Sequence, residues 1–204
     1  ERNISAIIKQ SDAEKALNLL HEDFFLSNVK RVHLFVAGTG NVGKQFIQLI
    51  HEMQDDFRKE FNLEFRLAGI INTRQMLVRK EGIPWQEVVA LLDSEGETSD
   101  WKGFFDRMVT LNLRNSVFVD NTASEEVSNI YEQVLQQSIS VATCNKIAAS
   151  GDYSHYRKLT DVAPHNRAHF LFETNVGAGL PILSTIRNLK KTGDRIDRID
   201  AVLS

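Results

Sequence analysis

A single cysteine, Cys144, stands in the 204 residues, so the chain has no internal disulfide with which to staple a small fold. Nor is there a continuous apolar run of the length needed to span a bilayer. A formal net charge of −3 and a pI near 6.1 leave no basic field of the kind that attracts nucleic acid or an acidic membrane surface. Metal-ligand spacing is missing too: His33, His51, His155, His165 and His169 have no cysteine or i, i+4 histidine to complete a zinc set. Neither internal repeats nor low-complexity segments occur. These absences point to a reducing cytoplasm as the setting and to a small molecule as the partner. The chain opens on Glu1 with no basic-then-apolar leader and stops in an apolar run at Ser204, which reads as an excised piece of a longer protein.

What is present is a β-α rhythm. Val32 to Ala37 is nearly continuous in apolar character, as expected of a parallel strand covered on both faces. Val42, Phe46, Leu49, Ile50, Met53 and Phe57 then recur at spacings of three and four, which predicts one long helix. Strands are expected at residues 63–71, 115–119 and 139–142. Helices are expected at residues 85–92, opened by Pro84, at 101–111, from the Ser124 cap to Leu135, and at 153–159. Residues 3–9 suit a further strand, with Ser11-Asp12 capping a helix through Leu20. Near the other end, 169–172 and 196–203 suit strands of a second layer beside a helix from Leu180 to Lys190. Such alternation predicts an α/β fold, a Rossmann-like doubly wound and mainly parallel sheet with the start of a second α+β domain.

One turn carries chemistry. Gly38-Thr39-Gly40-Asn41-Val42-Gly43 fits G-x-G-x-x-G, and it lies between a strong strand and a strongly periodic helix, the context that separates this motif from an ordinary glycine turn. In that reading Gly38 permits the tight turn, Gly40 lets main-chain amides approach a pyrophosphate, and Gly43 lets helix and strand close on each other. The helix N-terminus favours the anion. After the second strand, Asn72-Thr73-Arg74 puts a cation where a ribose-binding acid is common, which favours NADP over NAD unless Arg74 is simply a solvated loop residue. Thr122 follows a strand end and is free either to meet the nicotinamide side of a dinucleotide or to cap a helix, although Ser124, followed by Glu125 and Glu126, suits the cap better. Lys146, just beyond the strand at 139–142, belongs at the carboxyl edge of the sheet, where it is either a ligand-facing ammonium or a solvated lysine. Cys144 has no histidine partner in its surroundings and is a remote candidate for a nucleophile.

Three further segments stand in order behind the glycine turn: Val119-Asp120-Asn121-Thr122-Ala123-Ser124, Ala142-Thr143-Cys144-Asn145-Lys146, and Glu173-Thr174-Asn175-Val176-Gly177-Ala178-Gly179-Leu180-Pro181. Together, from about Arg31 onward, they resemble homoserine dehydrogenases, and Glu1 to Ser5 with the helix after it resembles the end of the regulatory ACT region in bifunctional aspartokinase–homoserine dehydrogenases. The resemblance implies three parts: residues 1–29 as the end of the regulatory region and a linker, 30–175 as the NAD(P)-binding domain, and 176–204 as the start of a catalytic and dimerisation domain. It implies an NAD(P)-dependent oxidoreductase that interconverts aspartate 4-semialdehyde and homoserine in threonine and methionine biosynthesis, homo-oligomeric when complete and joined to an aspartokinase domain.

Residues 38–43, Arg74, Thr122 and Lys146 are thus the candidates for contact with the cofactor, and the resemblance implies an active-site place for Lys146. Lys146 also lies at the reacting carbonyl, where a cation polarises the oxygen that gains or loses charge. A sodium-type site built mostly from main-chain oxygens is implied at Glu173, Val176, Ala178 and Leu180. Cys144 stands where the family often has proline and Ile147 where it often has a second lysine, so a role of that second lysine does not transfer. The acids that hold the substrate amine and a proton-transferring lysine are expected beyond Ser204, which implies negligible turnover by these residues alone. Two rivals use the same features: a nucleotide-sensing module without chemistry, and a dehydrogenase of another amino-acid semialdehyde.

Overall fold

Alternation inside an apolar run decides where the sheet sits. In β1 (Lys30–Ala37) the side chains of Phe35 and Ala37 point into one buried cluster and those of Leu34 and Val36 into another. A strand with no polar face belongs at the centre of a covered sheet. The computed structural model, which describes residues 5–21 and 29–201, places it there. In chain order the other strands are β2 (Leu63–Ile71), β3 (Gln75–Ile83), β4 (Glu97–Thr98), β5 (Ser116–Asp120), β6 (Ser140–Thr143) and β7 (Phe170–Leu171). They form one seven-stranded sheet in the order β4-β3-β2-β1-β5-β6-β7. The pairs β1–β2, β1–β5, β5–β6 and β6–β7 are parallel, while β3 and β4 add antiparallel pairs at one edge.

The helices are α1 (Ala13–His21), α2 (Asn41–Glu52), α3 (Gln54–Phe61), α4 (Val88–Glu95), α5 (Trp101–Leu111), α6 (Glu125–Asn129), α7 (Tyr131–Gln136), α8 (Ile147–Ser150), α9 (Tyr153–His165) and α10 (Ile182–Lys191). One face of the sheet is packed by α5, α7 and α9 through Phe104, Met108, Tyr131, Val134, Leu135, Leu159 and Ala163. The other is packed by α2 and α4 through Ile47, Val88 and Leu92. The mixed, mostly parallel Rossmann-like sheet expected from the β-α rhythm is therefore present. Among the described residues no helix is long and apolar enough to cross a membrane.

Several expectations need correction. The long helix over 42–57 is two helices, because at Met53 (φ −92°, ψ 5°) the chain changes direction and α3 carries Phe57 onto Phe65 of β2, edge to face at 4.9 Å. The helix from Ser124 to Leu135 likewise divides at Ile130 into α6 and α7. The helix expected from Trp85 begins as a 3-10 turn, Trp85–Glu87, that leads into α4. Residues 5–9 are exposed and pair with no strand, so the strand proposed at 3–9 does not form there; Asn3 and Ile4 lie outside the described residues.

The run at 169–172 does not start a second layer. Its β7 hydrogen-bonds in parallel to β6 and closes the edge of the same sheet. Residues 194–201 contain no strand, and Val202 to Ser204 lie outside the described residues. The second α+β domain is thus not visible as a separate layer among the described residues. β3 and β4 went unforeseen. The β2–β3 hairpin turns where the Asn72 side-chain oxygen accepts the amides of Arg74 and Gln75, both at 2.8 Å, and reverses the chain, while β4 returns to the start of β3 after α4.

Phe104 is 1% exposed and meets Phe35 of the central strand edge to face, with centroids 6.2 Å apart. Phe104→Ala is expected to destabilise the fold by about 3–5 kcal/mol, read as a lowered urea midpoint at unchanged slope.

Candidate dinucleotide site

The strand order reverses direction of travel between β1 and β5, and at such a switch point the carboxyl ends of the strands diverge to leave a crevice. The glycine turn emerges into it. Gly38 has φ +96°, and a Cβ there would stand 3.1 Å from both the Asn121 carbonyl oxygen and the Thr122 methyl group, so the turn and the β5 end abut. At Gly43 a Cβ would lie 2.0 Å from the Gly38 carbonyl oxygen. At Gly40, which caps α2, it would meet nothing within 4 Å. Two glycines therefore serve the chain's own packing and the middle one faces open space. The first amides of α2, at exposed Asn41 and Val42 and at Gly43, have no carbonyl one turn earlier to bind, which leaves them for an anion.

The flank of this turn is tied to β2. Asn72 donates from its amide to the Thr39 hydroxyl at 3.2 Å, and its main-chain carbonyl accepts the Ser99 hydroxyl at 2.7 Å. Arg74, two residues on, is exposed, and its guanidinium has no ion-pair partner among the described residues.

The opposite flank is organised by Asp120, the last residue of β5, which is fully buried. One carboxylate oxygen accepts the Thr122 amide at 2.7 Å; the other accepts the Tyr131 hydroxyl at 2.5 Å and the Asn145 side-chain amide at 3.1 Å. Thr143 joins through its hydroxyl, 2.8 Å from that of Tyr131, and accepts the Asn145 main-chain amide at 2.9 Å. The break between α6 and α7 is what allows Tyr131 to reach this carboxylate. Burial, with the Asp120 charge beside it, drives the Tyr131 phenol far above its ordinary pKa.

Thr122 and Ser124 divide the roles open to them. Ser124 accepts the Val127 amide and caps α6, while the Thr122 hydroxyl accepts the Ser124 amide at 3.1 Å and keeps its own proton to donate. Lys146 begins the turn into α8 just past β6, its side chain exposed and without a partner among the described residues. The neighbouring Cys144 thiol is pushed up, first by burial and then by the Asp120 charge, which removes it as a nucleophile near neutral pH.

The loop after β7 is held differently from the cation site that the resemblance implies. The Glu173 carboxylate accepts the Ser184 amide (2.9 and 3.1 Å) and hydroxyl (3.3 Å) and so caps α10. The carbonyls of Glu173 and Leu180 accept the amides of Val176 and Ile182. Of the four positions Val176 and Ala178 have carbonyls that accept no main-chain amide, while those of Glu173 and Leu180 each accept one. Among the described residues no group of three or more histidine, cysteine, aspartate or glutamate side chains could hold a metal ion.

The structure thus gathers residues 38–43, Arg74, Thr122 and Lys146 along one sheet edge, at the carboxyl ends of β1, β2, β5 and β6. Sequence reasoning passed over Asn72, Asp120, Tyr131 and Asn145. The available signal was an aspartate ending an otherwise apolar strand, Val117-Phe118-Val119-Asp120, since a carboxylate there must find donors or face water.

A parallel sheet with a glycine turn at its switch point is the architecture of dinucleotide-binding α/β domains, and solved structures share it. The chain superposes on a homoserine dehydrogenase from Thermoplasma acidophilum with TM-score 0.60 at 19% identity, over 78% of this chain and 48% of that one. For a mutant hyperthermophilic archaeal homoserine dehydrogenase in complex with NADPH the values are 0.63 and 24%, over 79% and 50%.

Residues 38–173 match the family described as "Homoserine dehydrogenase, NAD binding domain", and the chain belongs to that family. It is 35% identical over its whole length to the chloroplastic bifunctional aspartokinase/homoserine dehydrogenase 2 of Arabidopsis thaliana, and 32% identical to the bifunctional enzyme of Haemophilus influenzae. It spans 22% and 25% of those proteins.

The glycines separate packing from binding. Gly43→Ala is expected to lower stability by about 2 kcal/mol or more, because main chain must move to admit the methyl group. Gly40→Ala should change stability by no more than about 0.5 kcal/mol in urea titrations, as expected of a surface substitution, yet weaken NAD(P)H binding at least tenfold by fluorescence titration, since a Cβ there meets nothing of the chain itself.

Tyr131 generates a pH prediction. Above the ordinary phenol pKa of about 10, the unfolded chain releases a proton that the folded chain keeps, so the unfolded state binds fewer protons and stability falls as pH rises. Tyr131→Phe should flatten that alkaline decline by up to about 1.4 kcal/mol per pH unit in urea titrations between pH 9 and 11.

Proposed function

We propose that this chain is the cofactor-binding part of an NADP(H)-dependent homoserine dehydrogenase that interconverts aspartate 4-semialdehyde and homoserine. The reading rests on one juxtaposition: the open Gly40 and the first amides of α2 share a sheet edge with Thr122 and Lys146. Full-length alignment with bifunctional aspartokinase/homoserine dehydrogenases supports an aspartokinase domain on the same polypeptide and an oligomeric dehydrogenase. In this reading residues 30–175 form the NAD(P)-binding domain, residues 1–29 lead into it from a regulatory region, and residues 176–204 lead on to the substrate-binding part. Residues outside 1–204 then supply the substrate's ammonium ligands, and the isolated chain turns over negligibly.

Bound nicotinamide nucleotide supplies the hydride donor or acceptor. The chain's own residues do the rest. The α2 amides at 41–43 take the pyrophosphate, and the Thr39–Asn72 hydrogen bond holds the turn against the β2 end. Arg74, exposed and without an ion-pair partner among the described residues, supplies the guanidinium that neutralises a 2′-phosphate in this reading. Thr122, anchored through its amide and still able to donate from its hydroxyl, orients the nicotinamide side. Lys146 places a positive charge beside the carbonyl oxygen of the semialdehyde, where negative charge grows as hydride arrives.

Two substitutions in the full-length protein test this. Arg74→Ala should weaken NADPH binding tenfold or more, as loss of a charge-assisted contact of about 1.5–3 kcal/mol requires, and leave NADH nearly unchanged. Equal losses for the two cofactors would remove Arg74 from the site. Lys146→Ala should reduce kcat for homoserine oxidation by about 10²–10³ with little change in NADPH affinity. Unchanged turnover would leave nucleotide binding without this chemistry.

A further inference from the structure

Lys146 is exposed, yet the backbone that carries it is fastened on both sides: its own carbonyl accepts the amides of Ala149 and Ser150 and the Ser150 hydroxyl, and the chain before it is held through Asn145. Asn145 is 2% exposed. Its side-chain amide donates to the Asp120 carboxylate at 3.1 Å and to the Ser124 carbonyl at 2.9 Å. Its side-chain oxygen accepts the Ile147 amide at 3.1 Å, so the bond straddles Lys146 and fixes both of its peptide neighbours. Its main-chain amide donates to the Thr143 hydroxyl, and its carbonyl accepts the Asn175 side-chain amide at 3.2 Å. The second bond reaches across from the 3-10 turn Glu173–Asn175 that follows β7, and the Asn175 side-chain oxygen is itself buried without a donor among the described residues.

A buried residue that satisfies its own polar groups so fully determines where the next Cα stands. A lysine built on that Cα starts its long chain from one point in one direction. Displacement of a charge by about an ångström from a reacting oxygen costs a large share of its effect on rate, while leaving the folded state intact.

We propose that Asn145 is a positioning residue for the dehydrogenase reaction: through Asp120, Ser124 and Ile147 it sets the origin of the Lys146 side chain, and Asn175 is its outer tether. This deepens the assignment of Lys146 and rests on it. Asn145 touches neither cofactor nor substrate in this scheme; it acts only through its neighbour.

The test is a double-mutant cycle in the full-length protein, with kcat for homoserine oxidation, NADPH affinity by fluorescence and the thermal midpoint read for each variant. Asn145→Ala is expected to lower kcat at least tenfold while NADPH affinity stays within about threefold. In the Lys146→Ala background the same change should lower kcat less than twofold further, because the group it positions is gone. A general loosening of the fold would instead reduce kcat by the same factor in both backgrounds, and that result overturns the proposal. Where Asn145→Ala does not fold, Asn175→Ala, which cuts the outer tether alone, carries the same cycle: a drop of threefold or more that vanishes without Lys146 supports the proposal, and an equal drop in both backgrounds, or no drop at all, refutes it. If Lys146→Ala itself leaves kcat unchanged, the assignment of Lys146 falls, and the positioning role falls with it for a separately visible reason.

Discussion

A carboxylate taken out of water must be compensated by donors close at hand, and Asp120 is the place where this fold meets that demand. Fully buried at the end of β5, it accepts the Thr122 amide, the Tyr131 hydroxyl and the Asn145 side-chain amide. These donors come from three elements: the turn after β5, the start of α7 and the turn after β6. Removal of any one would leave the carboxylate short in a poorly screened interior, which is costlier than the loss of an ordinary hydrogen bond. The need to keep all three ties the two turns that carry Thr122 and Lys146 to one point. The position of the candidate site is thus a consequence of how a buried charge is satisfied.

The other flank of the crevice is set by packing rather than by charge. A Cβ at Gly43 would stand 2.0 Å from the Gly38 carbonyl oxygen, so α2 lies as close to the β1 end as backbone can. That proximity aims the helix start across the switch point towards β5. On the β2 side Asn72 has a double duty: it shapes the turn into β3 with its oxygen and holds Thr39 with its amide. The antiparallel β2–β3 hairpin therefore turns at the same residue that steadies the glycine turn, which links the antiparallel edge of the sheet to the candidate site.

Much of this was legible in the residues. Val32 to Ala37 declared a central strand because a run with no polar face has to be covered twice, and Gly38 to Gly43 declared a tight turn between that strand and a periodic helix. The exposed candidates Arg74 and Lys146 could be placed at the sheet edge by counting strands. Other features depended on contacts far apart in sequence. Met53 and Ile130 look like ordinary helix residues, and the chain bends at them so that Phe57 can meet Phe65 and Tyr131 can reach Asp120. β3, Gln-Met-Leu-Val-Arg-Lys-Glu-Gly-Ile, mixes buried Met76 and Leu77 with a charged stretch, so no period of two announces it. The apolar residues near 170 gave the opposite error: their character was correctly strand-like, but nothing local distinguishes the last strand of one sheet from the first of another. Asn145 carries no composition signal, since its importance lies wholly in which carboxylate and carbonyls surround it.

The residues proposed to meet ligand are exposed and make few bonds of their own, whereas the residues that hold them are buried and saturated. Gly40 faces open space, Arg74 and Lys146 have cationic heads without a partner among the described residues, and Thr122 keeps a hydroxyl proton; behind them stand Gly43, Asn72, Asp120 and Asn145. This division has an energetic logic. A group with no partner in the empty site loses no internal bond when ligand arrives, so its full interaction is available for binding, and a saturated support restricts the geometries that must be excluded on binding. It also separates what can change from what cannot. A substitution at position 74 alters a solvated side chain and leaves the fold's own bonds intact, whereas one at position 120 removes the acceptor shared by two turns. An unbroken chain of contacts runs from Tyr131 through Asp120 and Asn145 to the Lys146 backbone, so the turn proposed to carry the reacting lysine is tied to the buried core while its side chain lies exposed.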